Sequence, residues 1–521
     1  MSSLFWYREL GSGQIWLILA AAVLITPIAL GIYRLFFGRL RHIPGPWTTN
    51  LTGFDLSMHA TKGSRVYKLE ELHARYGPVV RVGPNEVSVG DWHALRPIYA
   101  GSKTTLKDAK FYGFATFVGK NNIFQMLNPA EHAARRKLSS PPYSLQSVAR
   151  LDSIIEDRAE ALVRRLLEKS ATSGTGTTDA YQLCGLFSFE VVCRAGFAKT
   201  FDQDDNSAAL RLLNSMDASA PTLIFDQALP FLTSMGLGRR LPGFVGDCYR
   251  KRDSWQEQSR EMVDHFLMMR SSGTAMGEGK CDKDFMVDSD KYLLSPLANG
   301  VDAFLGRKLT HEELVEEAMG YMFAGSGTTS STLTYLLYAI ARPENAHIQE
   351  RLRTEVAGFE ANSSVVTAAR QNAYITAVIK EVFRLYPTII STLPRVLAEP
   401  LQVGPGAGFT LPAGTVVGMQ NWIHHRDPAV FTDPNRFEPE RWLASTPEME
   451  AALTPFSLGR RNCIGQNLAW QELYWAVVCI MRAGLRLRVG SEMTDYDMEL
   501  EDRFNIAPRG RRLMLEVTRL L

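Results

Sequence analysis

One ten-residue segment, residues 456–465, constrains this chain more than any other part of it. It reads FSLGRRNCIG and places Cys463 between two glycines, with Arg461 two residues before it and an apolar run, residues 466–481, after it. The run predicts a helix, and a thiol just before a helix N-terminus is favoured as thiolate by amide donors and the helix dipole. The glycines permit a tight turn and the close approach of a flat ligand. The pattern therefore predicts a thiolate metal ligand, with Arg461 placed to meet an acidic group on the bound ligand.

A lone cysteine before a core helix is ordinarily a buried and unreactive residue. The spacing argues against that interpretation, because F-x-x-G-x-R-x-C-x-G, with each fixed type at about one in twenty, occurs by chance in roughly one window in three million. The segment resembles the haem-binding signature of the cytochrome P450 family. The resemblance implies that Cys463 is the axial thiolate ligand of the iron of haem b. It also implies further cofactor-binding positions in the same segment: Phe456, Gly459, Arg461 and Gly465.

The composition fits a large folded domain and narrows the classes of function. The chain has 521 residues, 45% of them hydrophobic, which is enough for a sizeable core. Its net charge is +2, so the charge balance gives no indication of nucleic-acid binding. Six cysteines show neither a C-x-x-C pair nor a regular spacing, which favours reduced thiols in a cytosol-facing domain.

Residues 15–33 form an uncharged run that predicts a membrane anchor. At about 1.5 Å per residue, a helix of this length reaches roughly 28 Å and crosses the bilayer core. A cleaved signal peptide is the alternative, but Arg8 and Glu9 before the run give it no net positive start. The basic residues follow the run instead: Arg34, Arg39 and Arg41. We therefore expect an uncleaved signal-anchor in the endoplasmic reticulum membrane, with residues 1–14 in the lumen.

The chain after the anchor is predicted to form one cytosolic catalytic domain, residues 49–521. Residues 34–48 make a basic hinge, in which Pro44-Gly45-Pro46 resembles the segment that follows the anchor in membrane-bound members of the family. Residues 69–89 pass from a helical pattern into an alternating, β-branched one that predicts a strand hairpin.

A long helix with an irregular centre is predicted after residue 310. Thr310 and Glu313 fit a capping box, and no proline follows until Pro343, which allows about thirty helical residues. The centre, residues 324–332, reads AGSGTTSST, and each glycine there costs about 1 kcal/mol in a helix interior. Two explanations are open. Either a close helix crossing needs small residues, or glycine opens room beside a ligand while hydroxyls bond carbonyls one turn back and hold water.

The helix centre resembles the oxygen-activation motif of the family, A-G-x-(acid)-T-T. Ala324, Gly325 and Thr328 match that motif, and Thr328 stands at the catalytic threonine. Gly327 departs from it, because the family usually has aspartate or glutamate at this position. Either a water, Ser326 or Thr329 replaces that acid in proton delivery, or proton delivery is slow, or the reaction needs less of it.

Three charged residues are predicted to form a structural cluster. Residues 374–386 predict an amphipathic helix that ends at Pro387, and within it Glu381 and Arg384 share a face. By itself such a pair contributes under about 1 kcal/mol when exposed. The segment FEPERW, residues 437–442, resembles the family segment whose arginine, here Arg441, completes a buried Glu-Arg-Arg cluster. The resemblance implies a role in fold stability and haem retention.

A basic segment around residue 132 is a second predicted contact with the cofactor. His132 and Arg136 are four residues apart and share one helix face, although a solvated basic face explains the same pattern. The segment resembles the family helix that binds the haem propionates, with histidine where tryptophan is more usual. Arg395 is implied as another propionate contact. If Arg135 and Lys137 face outward, they could receive an acidic redox partner.

Substrate-facing residues are implied for two apolar regions. Residues 111–124 are aromatic and glycine-containing, which is typical of a packed loop, but in the family this region lies over the haem. Residues 388–395 are mainly apolar and line the substrate pocket in the family. The implied wall is formed by Phe114, Phe117, Phe124, Ile389 and Ile390. The motif at residues 424–427, HHRD, is interpreted as part of a surface loop rather than a metal site, with His424 or Arg426 near the propionates.

The resemblance implies a mainly α fold with a smaller β region, the cytochrome P450 fold, with haem between the long helix and the Cys463 segment. It implies a monooxygenase that uses O₂ to hydroxylate, desaturate or oxidatively rearrange a lipophilic small molecule. No flavin or nicotinamide motif is present in the sequence, so we expect electrons from a membrane-bound NADPH–cytochrome P450 reductase. The helix centre and the hinge resemble fungal enzymes of secondary metabolism, which favours a polyketide, terpenoid or alkaloid substrate.

Two other classes of function remain open at this stage. A haem-thiolate isomerase or dehydratase that acts on a peroxide needs no reductase, and Gly327 is compatible with such an enzyme. A non-catalytic haem-binding membrane protein fits less well, because the oxygen-activation motif is otherwise complete. NADPH-dependent turnover separates the monooxygenase from both.

Overall fold

The computed structural model describes residues 16, 25–26, 29–101, 105–113, 115–201, 206–272, 289–359, 365–406 and 408–520. These residues form two compact units. The smaller unit comes from residues 1–105 and 392–420, and the larger unit from residues 106–391 and 421–521.

Helices dominate the described residues, and strands are fewer and short. The helices in chain order are α1 (Phe54–Thr61), α2 (Arg65–Tyr76), α3 (Ala109–Tyr112), α4 (Pro129–Ser139), α5 (Leu145–Ala149), α6 (Asp152–Thr172), α7 (Ala180–Phe197), α8 (Ser207–Ser219), α9 (Pro221–Ala228), α10 (Phe231–Ser234), α11 (Gly243–Ser272), α12 (Ser295–Asn299), α13 (His311–Ala341), α14 (Ala346–Ala357), α15 (Val365–Gln371), α16 (Ala373–Leu385), α17 (Asn421–His424), α18 (Pro447–Ala452), α19 (Gln466–Arg482) and α20 (Asp495–Met498). The strands are β1 (Val79–Gly83), β2 (Glu86–Val89), β3 (Thr105–Lys107), β4 (Thr177–Asp179), β5 (Arg395–Leu397), β6 (Leu401–Val403), β7 (Phe409–Leu411), β8 (Val416–Gly418), β9 (Leu485–Val489), β10 (Leu500–Arg503), β11 (Asn505–Pro508) and β12 (Met514–Arg519).

The smaller unit is built around a sheet in which strands β1, β2, β8 and β5 lie side by side. β1 and β2 pair antiparallel, which confirms the hairpin predicted from the alternating pattern. β2 and β8 pair parallel, and β6 pairs with β7 in a separate ribbon. The buried guanidinium of Arg81 on β1 donates hydrogen bonds to the carbonyls of Leu40 and Ile43. The basic hinge is thereby fixed to this sheet.

The larger unit is organised around α13, which confirms the predicted long helix. It contains 31 residues and begins with the predicted capping box, in which Thr310 and Glu313 exchange hydrogen bonds. Leu314, Val315, Met319, Met322 and further residues along the helix are buried. α13 packs against α7, α11, α16 and α19. A helix with apolar neighbours on several sides places its central residues inside the unit, where they can face a ligand.

Small sheets complete the larger unit. β12 pairs antiparallel with both β4 and β9. β10 and β11 form a tight hairpin whose tip is Phe504, and β11 contacts α13. α19 begins at Gln466, directly after the cysteine segment, which confirms the helix predicted there. The mainly α fold with a smaller β region is therefore as predicted.

The predicted membrane anchor, residues 15–33, lies mostly outside the described residues. Residues 29–37, which include its end, are helical. Within the part of the chain that the structure describes, no helix has both the length and the apolar character needed to span a bilayer.

Candidate active site

The cysteine segment forms a tight turn ahead of α19. The backbone N–H of Cys463 donates a 2.9 Å hydrogen bond to the carbonyl of Phe456, which closes the turn. Gly459 has a φ of +72°, a left-handed conformation that favours glycine. Gly465 immediately precedes α19, and a Cβ there would lie 4.0 Å from Cys463 Sγ, an ordinary contact. The turn therefore requires glycine at position 459, whereas position 465 is not sterically closed to a side chain.

The thiol of Cys463 faces open space although protein surrounds it. The residue is exposed, yet burial raises the pKa of its thiol above the ordinary value. The backbone N–H of Gly465 and the charge of Arg136 act in the opposite direction and favour the thiolate. The thiol is thus surrounded by protein atoms yet accessible, and a bound metal ion would complete its deprotonation.

Two arginines hold the cysteine segment in place. Arg136 on α4 donates hydrogen bonds from its guanidinium to the carbonyl and the side-chain oxygen of Asn462, the residue before Cys463. Arg461 donates to the carbonyls of Met126 and Leu127, at 2.7 and 3.3 Å. Both guanidinium groups thus lie at the segment itself. Their predicted contact with an acidic group on the ligand remains a prediction.

Hydroxyl groups in the centre of α13 donate hydrogen bonds to the helix backbone. Thr328 Oγ1 donates to the carbonyl of Ala324 at 2.6 Å, and Thr332 Oγ1 donates to the carbonyl of Thr328 at 3.0 Å. Ser326 does the same toward Met322. Such bonds compete with the helical ladder, and they weaken and bend helices. Ala324 is exposed although its helix is buried along most of its length, so the centre of α13 also faces open space.

The two glycines of this centre have different surroundings. A Cβ at Gly325 would lie 2.4 Å from Val192 Cγ2, so α7 crosses α13 too closely there for any side chain. A Cβ at Gly327 would lie 2.8 Å from Nδ2 of Asn505, at the start of β11. Close helix packing therefore explains Gly325. Gly327 instead leaves room for a polar side chain from another element.

An aromatic pair connects the helix centre with the cysteine segment. The rings of Tyr321 on α13 and Tyr143 are 6.0 Å apart and perpendicular. A Cβ at Gly465 would lie 3.9 Å from Tyr143. Ala324 follows Tyr321 by one turn, and Cys463 precedes Gly465 by two residues. Tyr143 and Tyr321 thus link the exposed part of α13 to the cysteine segment.

These residues fit the group that the sequence resemblance implies. A thiolate is a soft ligand suited to iron, and the exposed Cys463 and the exposed Ala324 leave both sides accessible to a ligand. The Arg136 guanidinium at the cysteine segment supplies a positive charge near the ligand. The donor set and the surrounding space are therefore compatible with haem.

The predicted structural cluster is assembled around Glu381. Its carboxylate accepts hydrogen bonds from Arg384, at 2.9 and 2.7 Å, and from Arg441, at 3.2 Å. Trp442 Nε1 and the backbone N–H of Glu438 donate two more, at 2.8 and 2.9 Å. The side chains of Glu381 and Arg384 are 0% exposed. Both buried charges are thus fully compensated, and the segment after α17 is joined to α16.

The structure decides which basic residues of α4 face outward. Arg135 does not face outward: its side chain is 2% exposed and forms ion pairs with Asp302 and Glu317. Burial next to two carboxylates excludes it from a docking surface. Lys137 is exposed, as expected, and His132 is buried.

The interpretation of residues 424–427 as part of a surface loop is also wrong for the two histidines. His424 and His425 are 1% and 0% exposed. His424 shares a 3.0 Å hydrogen bond with Thr454 Oγ1, and the backbone N–H of Thr454 donates to His425 Nε2. Burial and the nearby charges of Arg384 and Arg426 hold the pKa of His425 well below its usual range. His425 is therefore a neutral residue of the core.

The predicted substrate-facing residues have different environments. Phe117 is buried, and its backbone N–H donates to the carboxylate of Glu316 on α13 at 2.8 Å. Phe124 is 40% exposed. Ile390 is buried, and Ile389 is half-buried and forms a backbone bridge with Asn505. Phe114 lies outside the described residues.

Arg395 lies in the smaller unit, where it is a buried residue of β5. Its guanidinium stacks over the ring of Tyr99 at 5.3 Å. The predicted contact with a propionate remains a prediction.

Two residues of the β10–β11 hairpin were not found by the sequence analysis. Phe504, at the tip, has a φ of +83° and contacts the rings of Phe111 and Phe124. Asn505 faces Gly327. Neither belongs to a local motif, and the surrounding residues, LEDRFNIAP at 500–508, carry no regular alternation that predicts a hairpin.

A mainly helical unit in which an exposed cysteine and the hydroxyl-rich centre of a long helix are linked through one aromatic pair is compatible with a haem-thiolate protein. Residues 42–492 match the family model described as Cytochrome P450. The chain belongs to the cytochrome P450 family, and its relatives are monooxygenases.

Two fungal relatives align over more than nine-tenths of the chain. Cytochrome P450 monooxygenase stcB from Emericella nidulans is 29% identical, over 93% of this chain and 89% of the relative. Cytochrome P450 monooxygenase aflV from Aspergillus parasiticus is 27% identical, over 96% of each. Among solved structures, the retinoic acid-bound cyanobacterial CYP120A1 matches with a TM-score of 0.68 at 19% identity, over 87% of this chain and 94% of that chain. At that identity the structural match shows the fold alone.

Proposed function

We propose that this monooxygenase hydroxylates a lipophilic small molecule of fungal secondary metabolism, with electrons from an NADPH–cytochrome P450 reductase. Desaturation or oxidative rearrangement of the same kind of substrate belongs to the same proposal. A polyketide, terpenoid or alkaloid skeleton is supported by the sequence resemblance to fungal enzymes. The alignment with fungal monooxygenases over more than nine-tenths of the chain supports the same assignment.

One observation carries the proposal: an accessible thiol and an accessible, hydroxyl-rich helix centre occur together in an otherwise buried region. Haem bound there would supply oxygen activation, for which thiolate ligation is suited because it favours O–O cleavage. Cys463 would hold the iron, and Arg136 and Arg461 would position the cysteine segment. His132 and Arg395 are proposed as propionate contacts.

The side chains opposite the thiol have separate roles in the proposal. The hydroxyl of Thr328 donates a hydrogen bond to the Ala324 carbonyl. Its oxygen can therefore accept a hydrogen bond from a water molecule and hold that water for proton delivery. Phe117, Phe124, Ile389 and Ile390 are proposed to exclude water and to orient an apolar substrate. Glu316 fixes Phe117 by accepting from the backbone N–H groups of residues 117, 118 and 120.

The protein is proposed to be a single-pass protein of the endoplasmic reticulum membrane with a cytosolic catalytic domain. The uncharged run of residues 15–33 and the arginines that follow it support this topology. A membrane location would also give access to a lipophilic substrate and to a membrane-bound reductase.

Reductase-dependent turnover tests the proposal. The full-length protein in microsomes with NADPH–cytochrome P450 reductase should oxidise candidate polyketides, terpenoids or alkaloids only when NADPH is supplied. The product should gain one oxygen atom from ¹⁸O₂, or lose two hydrogens in a desaturation. Absence of NADPH consumption above that of the reductase alone would contradict it.

A second candidate function is an isomerase or dehydratase that rearranges a peroxide substrate without a reductase. Gly327 favours it, because such a reaction does not need the acid that the family usually has there. Conversion of a fatty-acid hydroperoxide in the absence of NADPH and reductase would support this function over the first.

A further inference from the structure

The position of the missing acid is taken by a side chain from a different element. A Cβ at Gly327 would lie 2.8 Å from Nδ2 of Asn505. The carboxamide of Asn505 therefore lies where a side chain at position 327 would begin. Any larger residue at 327 would have to displace it.

The backbone on both sides of Asn505 is fixed to α13 and its surroundings. Ser331 Oγ donates to the carbonyl of Ile506 at 2.8 Å, one turn along the helix from Gly327. The backbone N–H of Ile506 donates to the carbonyl of Thr388 at 2.8 Å, and Asn505 itself bridges to Ile389. Phe504 adopts a φ of +83° at the hairpin tip. These hydrogen bonds hold the start of β11 in place, so that Asn505 lies at the centre of α13.

The carboxamide has unused hydrogen-bonding capacity. The Asn505 side chain is half-buried and makes no hydrogen bond to another described residue. A carboxamide offers two N–H donors and an acceptor oxygen, and a group of this kind near the interior is ordinarily satisfied by water or ligand. Thr328, next to Gly327, donates its hydroxyl hydrogen bond to the Ala324 carbonyl, so its oxygen remains able to accept one. A water between these two groups would satisfy both.

Of the two hydroxyls that the sequence offered as substitutes, Ser326 and Thr329, Ser326 is directed elsewhere. Ser326 is 1% exposed, donates to the carbonyl of Met322 at 2.7 Å and lies 3.8 Å from the sulfur of Met216 on α8. It therefore faces packed helices. Ser326 therefore does not supply the polar group, whereas the hairpin brings the carboxamide of Asn505 to Gly327.

We infer that Asn505 is a positioning residue for proton delivery, and that its carboxamide holds a water beside Thr328 in place of the acid that is usual at position 327. The inference rests on the proposed function. The carboxamide neither gains nor loses a proton: the proton comes from solvent and passes along the hydrogen bonds of the water, while the electrons come from NADPH through the reductase. Because an amide does not titrate, no carboxyl ionisation at this position should appear in the pH dependence.

The contact between Gly327 and Asn505 is tested by thermal unfolding, which does not depend on enzyme activity. Four forms of the holoprotein are compared: wild type, Gly327→Ala, Asn505→Gly and the double variant. Alanine in place of a helical glycine ordinarily stabilises a helix. We expect Gly327→Ala to raise the unfolding temperature more in the Asn505→Gly background, where the carboxamide is absent, than in the wild type. Equal shifts in both backgrounds would show that the two residues do not touch and would overturn the inference.

The role in proton delivery is tested by turnover with the reductase and NADPH, without added substrate. The readout is the share of NADPH electrons that is recovered as hydrogen peroxide rather than as water. Asn505→Leu, similar in size and without polar atoms, should raise that share severalfold. The double variant Gly327→Asn/Asn505→Gly places the amide on the helix instead of the hairpin. In this variant the peroxide share should return close to the wild-type value. Asn505→Asp should make the share depend on pH through a carboxyl ionisation that the wild type lacks.

The outcomes separate a positioning role from a structural one. An unchanged peroxide share in Asn505→Leu, or a raised share that the relocated amide does not restore, would overturn the inference while leaving the monooxygenase proposal intact. No NADPH consumption by the wild type with reductase would overturn both.

Discussion

The guanidinium of Arg384 lies against the carboxylate of Glu381 with hydrogen bonds of 2.9 and 2.7 Å, and neither side chain is exposed. The same guanidinium donates to the carbonyls of His425, Pro434 and Arg436. One arginine thus joins α16 to the chain that leads toward the cysteine segment. Removing it would leave a buried carboxylate with less compensation and three carbonyls without their donor.

The first prediction concerns this pair. Arg384→Ala should lower the free energy of unfolding by about 3–5 kcal/mol, the cost of breaking a buried ion pair from one side. Urea unfolding followed by tryptophan fluorescence measures it, and the haem content of the purified variant should fall with it. Lys380→Ala is the matched control, because Lys380 pairs with Glu450 at 2.7 Å near the surface on the same helix and should cost under about 1 kcal/mol. Equal losses in the two variants would contradict the assignment.

The second prediction concerns the close crossing of α7 and α13. Gly325→Ala places a Cβ 2.4 Å from Val192 Cγ2 and should destabilise the protein by about 1–3 kcal/mol through overpacking. Val192→Ala in the same chain should recover much of that loss. Gly320→Ala is the control on the same helix: its Cβ would meet only Phe117, at 3.9 Å, so it should be neutral or stabilise by up to about 1 kcal/mol. If Gly325→Ala is as stable as Gly320→Ala, the glycine has another explanation.

The third prediction concerns the hydroxyl of Thr328. Thr328→Val keeps the shape and removes the oxygen, so the rate of coupled substrate oxidation should fall by on the order of 10²-fold, as for the loss of a proton-transfer group. NADPH should still be consumed, with peroxide as the product. Thr328→Ser retains the hydroxyl and should stay near wild type. The ratio of peroxide released to NADPH consumed measures the effect, and a wild-type ratio in Thr328→Val would place proton delivery elsewhere.

The fourth prediction concerns pH and Glu317. Burial raises the pKa of its carboxyl to about 7, against the opposing effect of Arg135. Between pH 4.5, the ordinary pKa of a glutamate, and about pH 7, the Glu317 carboxyl is ionised in the unfolded chain but protonated in the folded protein. Because the folded protein binds the extra proton, its stability should fall as the pH rises through this range. Glu317→Gln should flatten that part of the profile. The urea midpoint at pH 5 and at pH 7.5 tests it, and an unchanged difference between the two pH values would contradict the assignment.

The parts of the site that the sequence predicted are those encoded within a few residues. The cysteine segment, the capping box of Thr310 and Glu313, and the Glu381–Arg384 spacing are local patterns whose geometry follows from turn and helix periodicity. The mainly α fold and the helices around these motifs followed for the same reason.

The errors arose where distant segments meet. Arg135 looks like a surface residue because its partners, Asp302 and Glu317, come from other elements. His424 and His425 look like loop residues, yet both are hydrogen-bonded to Thr454, about thirty residues further along the chain. Asn505 carries no motif and gains its meaning only from its position opposite Gly327. Tertiary contacts of this kind leave no periodic trace in the sequence.

The most direct test of the central claim is the optical spectrum of the reduced, carbon monoxide-bound protein, with wild type beside Cys463→Ala. Thiolate ligation of haem predicts a red-shifted Soret band in the wild type and its loss in the variant. A band that persists in Cys463→Ala, or a wild type that binds haem without the red shift, would contradict the assignment of Cys463 as the haem ligand.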